Sequence, residues 1–91
     1  MNCDDEELKA TKEKSSDEMF KELGYEKQEL NDKVTGTILM YNKKTEIKLT
    51  RRISFFKDRT IECSESYLYT AKINMQELKA INKKCKELRW L

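Results

Sequence analysis

No histidine occurs in these 91 residues. That absence removes the usual general base, the commonest zinc ligand and the Ser-His and Cys-His pairings of nucleophilic catalysis. Gly24 and Gly36 are the only glycines, too few for the GxGxxG or GxxxxGKS/T loops that cradle phosphates, so a nucleotide-dependent enzyme is not expected. The three cysteines, Cys3, Cys63 and Cys85, form no CxxC and no even set for a disulfide framework. Reduced, incidental thiols fit them better, and no metal or cofactor is expected. The longest uncharged apolar run, Thr37 to Tyr41, falls far below the roughly 20 residues of a membrane span. The acidic start, Met1-Asn2-Cys3-Asp4-Asp5-Glu6-Glu7, lacks the basic then apolar pattern of a secretory signal, so a cytoplasmic protein with no membrane partner is expected.

Charge is what the chain has in abundance, at 40% of residues against 37% hydrophobic. Such a chain suits one small domain with a thin core and no enclosed substrate cavity. Its net +2 hides a segregation: residues 1–32 carry eleven acids against five lysines, and residues 33–91 carry 14 bases against six acids. A basic contact surface with an acidic arm is one reading of this, and a plainly solvated, charge-rich surface is the other.

Patterning divides the chain into helix, strands and helix. Residues 1–14 hold Leu8 as their one large aliphatic residue after Met1, too little apolar surface to offset ordering, which predicts a flexible acidic arm before a single domain over 15–91. Ser15 and Glu18 make a capping box, Met19, Phe20 and Leu23 share one helical face, and Gly24 stops the turn, so a short helix is predicted over about 16–23. Strands are expected at Tyr25–Leu30 and Thr35–Tyr41, then, after a break at Asn42-Lys43-Lys44, at Thr45–Thr50. Ile53–Phe56 and Thr60–Cys63 flank a polar turn at Lys57-Asp58-Arg59, and Tyr67–Thr70 adds an edge strand beyond an interruption at Ser64–Ser66.

Arg51 breaks the apolar phase shared by Ile47, Leu49, Ile53 and Phe55. A bulge near Arg51-Arg52, or a guanidinium that snorkels from a buried face, accounts for it. Asn74 and Glu77 form a second capping box, and Met75, Leu78, Ile81, Cys85 and Leu88 recur at helical spacing, predicting a longer helix over about 75–89 with Lys84 among the polar residues. Trp90 is expected to cover the end of the core. The fold class is α+β: a small antiparallel sheet of three to five strands flanked by both helices, the longer one packed on one face.

The segment Ser16-Asp17-Glu18-Met19-Phe20-Lys21-Glu22-Leu23-Gly24-Tyr25 and the later Ile73-Asn74-Met75-Gln76-Glu77-Leu78-Lys79-Ala80-Ile81-Asn82-Lys83-Lys84-Cys85-Lys86-Glu87-Leu88-Arg89-Trp90 resemble small proteins of Firmicute phages and prophages. These proteins place a DEMFxxLGY start and an ELxAINKKCxELxW end around a variable strand region. Arg89 stands where a helix-ending glycine is expected. The resemblance implies a phage accessory protein, a class that includes inhibitors of host defence such as anti-CRISPR proteins, and it implies no catalytic residues.

A non-enzymatic protein that occludes a host protein or nucleoprotein complex is therefore the leading expectation. Its candidate contact residues are Lys43, Lys44, Lys48, Arg51, Arg52, Lys57 and Arg59, which face only Glu46 and Asp58 as acids between positions 42 and 60. The plain alternative is that these cations solubilise strand edges. Nucleic acid is the second candidate partner, through the same cations with Tyr41, Phe56, Tyr67 or Tyr69 as stacking groups. Catalysis ranks third, because Glu46, Asp58, Glu62 and Glu65 show no spacing that predicts convergence on a metal. Monomer and homodimer are equally compatible with the sequence.

Overall fold

The computed structural model describes residues 14–66 and 71–91. Helix α1 (Ser16–Glu22) leads into strands β1 (Glu26–Glu29), β2 (Thr37–Lys44), β3 (Thr50–Phe56) and β4 (Ile61–Glu65), and helix α2 (Met75–Glu87) follows. The strands form one antiparallel meander in the order β1-β2-β3-β4. The chain is thus an α+β domain with a four-stranded sheet. The expected edge strand at Tyr67–Thr70 and the expected arm, Lys14 excepted, lie outside the described residues.

Both helices start and stop by the same local chemistry. At the N-termini, the Ser15 and Asn74 side chains accept the amides of Glu18 and Glu77, and each glutamate accepts the cap residue's own amide in return. These reciprocal bonds satisfy first-turn amides that lack helical partners. At the C-termini, the Tyr25 amide donates to the Phe20 carbonyl (3.0 Å) and the Gly24 amide to Lys21 (3.0 Å), while Trp90 donates to Cys85 (2.8 Å) and Arg89 to Lys86 (3.0 Å). Each is a Schellman motif, which needs its pivot residue in the left-handed region. Gly24 takes that place at φ +93°, and Arg89 takes it at φ +62°. Arg89 therefore does the work of the expected glycine, at the steric cost of carrying a Cβ there.

Alternation places Leu39, Tyr41, Arg51, Ile53 and Phe55 on one sheet face, and there the helices pack. Phe20 stacks on Tyr41 with ring centroids 3.8 Å apart and meets Tyr25 and Phe55 edge to face. Ala80, Ile81 and Cys85 of α2 complete the core. Trp90 lies half-buried against Phe55 at 6.1 Å, covering the core's end.

Two expectations about the elements need correction. First, β2 runs on through Asn42-Lys43-Lys44, and Thr45–Leu49 is the turn rather than a strand. The Thr45 backbone and hydroxyl both bond Leu49, at 2.8 and 3.1 Å, and Lys48 adopts φ +66°, so this loop closes locally and leaves Ile47 74% exposed at its tip. Its period-two pattern is a coincidence of composition. β3 starts at Thr50, ahead of the expected Ile53, and β4 (Ile61–Glu65) runs through Ser64 and Glu65, where an interruption was expected. Second, α2 is rotated from its apolar stripe: Met75 and Leu78 are 60% and 46% exposed, while Glu77 and Lys84 are buried. Ionic contacts set that rotation, as the next section shows.

The two Schellman pivots test the backbone argument. Gly24→Ala is expected to lose about 1–2 kcal/mol, because the added Cβ meets nothing closer than Lys43 Cδ at 3.7 Å and the cost is conformational. Arg89→Gly is expected to gain about 0.5–1 kcal/mol. Urea denaturation of both variants checks the opposite signs.

Candidate functional site

Arg51 shares the core face with Ile53 and Phe55, so its guanidinium must find partners inside. Register runs unbroken from Lys44↔Thr50 to Tyr41↔Ile53, and the sheet's irregularity falls at Thr37/Leu39 instead. No bulge turns Arg51 outward. Its Nε donates to Glu77 Oε2 (2.7 Å) and to the Tyr25 hydroxyl (3.0 Å), its Nη2 donates to Glu77 Oε1 (2.7 Å) and to the Lys72 carbonyl, and its Nη1 donates to Glu65 (2.7 Å). The Tyr25 hydroxyl in turn donates to Glu77 at 2.5 Å. Glu77 is 1% exposed and Arg51 8%. A buried bidentate pair of this kind is tolerable because each guanidinium nitrogen has a partner.

A second polar cluster ties the helices together. Asp17 accepts from Tyr41 (2.6 Å) and Lys27 (2.8 Å) and faces Lys84 at 3.3 Å. Glu87 accepts the Ser16 amide (2.9 Å) and hydroxyl (2.6 Å). Lys84 thus belongs to the interior seam between α1 and α2 and not to the solvent face expected for it.

Electrostatics assigns these groups structural work. Burial pushes the Glu77 carboxyl upward, but Arg51, the Tyr25 hydroxyl and the Asn74 amide outweigh it and hold the group at about 2. Burial also raises Asp17, and its bonds to Lys27 and Tyr41 and the charge of Lys84 bring it to about 2. General acids and bases work best with pKa values near the operating pH. Carboxylates held this low are ionised at neutral pH and act as anchors. Burial raises the thiols of Cys63 and Cys85, keeping them in the less nucleophilic protonated form.

The seven candidate contact cations separate into four groups. Arg51 is a correction: it is buried and fully engaged, and offers no contact surface. Lys43 is half-buried, donating to the Leu23 carbonyl (3.1 Å) with its ammonium 4.8 Å from the Tyr25 ring centre. Lys44, Lys48 and Arg52 are exposed near the β2–β3 turn. Lys57 and Arg59 are exposed on the β3–β4 turn at the opposite end of the sheet, where Arg59 has φ +69°.

A feature missed by reading for cations is the sheet face that neither helix covers. Cross-strand register makes it from rows Gln28-Met40-Ser54-Glu62 and Glu26-Asn42-Arg52-Ser64, with Lys44 and Thr50 beyond. Phe56 shares this phase and is half-buried, as is Met40. Arg52 Nε donates across the face to Asn42 at 2.7 Å. The face carries Glu26 and Glu62 against Lys44 and Arg52, two charges of each sign. Its signal was present in the even-numbered residues of β2 and β3, once the strand boundaries are known.

The acids considered for catalysis do not converge. Glu65 is bound by Arg51, Asp58 accepts from its neighbour Thr60, Glu62 lies on the open face and Glu46 sits in the β2–β3 turn. Among the described residues no group of three or more side chains has metal-binding geometry, and no helix is long and apolar enough to cross a membrane. Surface grooves occupy both ends of the sheet: about 490 Å³ beside Val34, Phe56 and Lys57, and about 600 Å³ beside Lys44, Ile47 and Glu65. With fold and site described, comparison with known proteins adds no assignment: the chain matches no family model, no curated protein and no solved structure.

The buried pair makes two expectations. Arg51→Met is expected to destabilise by about 3–5 kcal/mol, because Glu77 is left as an uncompensated buried charge. The double variant Arg51→Leu/Glu77→Leu is expected to recover part of that loss in urea titration. Glu77 titrates below its ordinary 4.5 in the folded state, so its contribution is complete above about 4.5 and is lost as pH falls toward about 2. The urea midpoint should decline across that window, and less steeply in Glu77→Gln.

Proposed function

We propose that this protein is a non-enzymatic accessory protein that binds a partner macromolecule stoichiometrically through the helix-free sheet face and occludes the partner's own working surface. The likeness to phage and prophage proteins makes the partner a host protein or nucleoprotein complex in the cytoplasm, host-defence assemblies included. The observation that carries the reading is the composition of that face. Half-buried Met40 and Phe56 are flanked by Glu26, Glu62, Lys44 and Arg52. Apolar centres with mixed charge at the rim are what protein partners cover. A phosphate backbone favours cations without carboxylates beside them, and the exposed candidate cations divide between opposite ends of the sheet. Arg52 lies on the face and Lys48 in the turn beside it, and Lys57 and Arg59 stand at the far end.

That separation makes a controlled experiment available. Tagged protein is used to capture partners from host lysate with and without nuclease, alongside Lys48→Glu/Arg52→Glu and Lys57→Glu/Arg59→Glu. A discrete protein retained after nuclease, lost in the first variant and kept in the second, is the expected result. Recovery that vanishes after nuclease would move the assignment to nucleic acid. Salt gives an independent readout: three phosphate contacts would weaken binding about 40-fold between about 50 and 200 mM salt. Through a charge-balanced face the change is expected to stay within about threefold.

A further inference from the structure

The two edges of the sheet are built differently. At β1 all four residues, Glu26, Lys27, Gln28 and Glu29, are polar and exposed, and Lys27 bridges Asp17 and Glu29 at 2.8 and 3.1 Å. Such an edge resists pairing with another strand. At β4 the helix-side residues are Ile61 and Cys63, both half-buried and packed against the core, followed by Glu65, which Arg51 holds. The Phe56 amide donates to Thr60 and the Ser66 amide to Thr50, both at 2.9 Å. In an antiparallel ladder this turns the even-numbered β4 residues toward β3, so Ile61, Cys63 and Glu65 direct their backbone groups outward. Among the described residues nothing pairs with them.

The helix above β4 is unguarded in the same place. α1 lies over β1 and β2 through Asp17, Lys27 and Tyr41, and α2 reaches β3 through Glu77 and Arg51. Glu87 and Lys84 mark the flank of α2 that faces α1. At 100° per residue Leu78 is half a turn around the helix from Glu87, on the flank that overhangs β4. Leu78 and Met75 on that side are 46% and 60% exposed, and the neighbouring Ile73 is 41% exposed. Among the described residues, an unpaired strand edge and an exposed apolar helix flank therefore adjoin.

We propose that the β4 edge and this flank of α2 form a homodimer interface, in which two copies pair their β4 strands antiparallel about a two-fold axis through Cys63 to make one continuous sheet. The occupant is a second copy because the edge is complementary to itself. Centred on Cys63, the register sets Ile61 opposite Glu65 of the partner subunit and Glu62 opposite Ser64 of the partner subunit, so no two like charges stand directly opposed. All three outward-facing residues find donors and acceptors in this register. Centring one residue earlier would stand Glu62 against its own copy. The same axis brings the Leu78 and Met75 flanks of the two α2 helices together, burying apolar surface that the thin core leaves exposed. The open sheet face is untouched, so this inference stands apart from the proposed function.

Sedimentation of the full chain over a concentration series, with thiol cross-linking by a short bismaleimide and peptide mapping, tests the interface. A species of twice the 10.9 kDa chain mass, with Cys63 linked to Cys63, is expected. Leu78→Lys, at an exposed position, should raise the dimer dissociation constant at least about tenfold while circular dichroism and melting stay near wild type. Cys63→Pro removes an outward amide without touching the bonds to β3 and should also dissociate the dimer. A wild-type chain that sediments as a monomer at every concentration overturns the proposal. So does a dimer whose cross-links join other cysteines, or one that persists in a folded Leu78→Lys. The wild-type cross-link map decides the matter even if a variant fails to fold.

Discussion

The domain is organised around one buried ion pair. Arg51 projects from the middle of the sheet onto a face that is otherwise apolar, and Glu77 enters from the first turn of α2 to meet it with both carboxylate oxygens. Because Glu77 also closes the capping box with Asn74, one side chain starts the helix and docks it. The pair fixes the rotation of α2 as well. Turning Glu77 inward carries Ala80, Ile81, Lys84 and Cys85 with it, and carries Met75 and Leu78 out. A buried salt bridge is a costly way to gain stability, since desolvation offsets most of its attraction. Its consequence here is orientation: an apolar stripe alone would permit several rotations, and a bidentate contact permits one.

The seam between the helices follows the same logic at lower burial. Asp17 gathers Tyr41, Lys27 and Lys84, and Glu87 accepts from Ser16 at the start of α1. The acids and bases that look like surface charge in a chain with 40% charged residues thus include a set that positions both helices over the sheet. Among the described residues nothing then covers the opposite face of the sheet or the β4 side of α2. In a domain with so few apolar residues to spare, Met40, Phe56, Met75 and Leu78 at these places are apolar surface that a partner would bury.

Much of the fold was legible residue by residue. Both capping boxes, the stop at Gly24, the β3–β4 turn at Lys57-Asp58-Arg59 and the α+β class follow from interactions within a few residues of one another. Local sequence carries that information. The β2–β3 turn was misplaced because Glu46 to Thr50 alternates like a strand, while the bonds that close Thr45 to Leu49 appear only once β2 and β3 pair. The candidate contact set was legible only as charge. Its division into buried, half-buried and two exposed groups depends on which strand phase faces the helices.

By itself the sequence determined the α+β class, the two capped helix starts, the stop at Gly24 and the lack of any histidine, because each of these depends on residue identity at short range. Only the tertiary structure decided that Arg51 is an interior anchor, that Glu77 and Lys84 point inward while Met75 and Leu78 point outward, and that, among the described residues, one sheet face and the β4 edge are left open. Those outcomes rest on contacts between residues 26 positions apart, as Arg51 and Glu77 are, or 67 apart, as Asp17 and Lys84 are. A charged side chain carries no mark of which distant partner will bury it. The partner exists only after the sheet has formed and the helices have been laid across it.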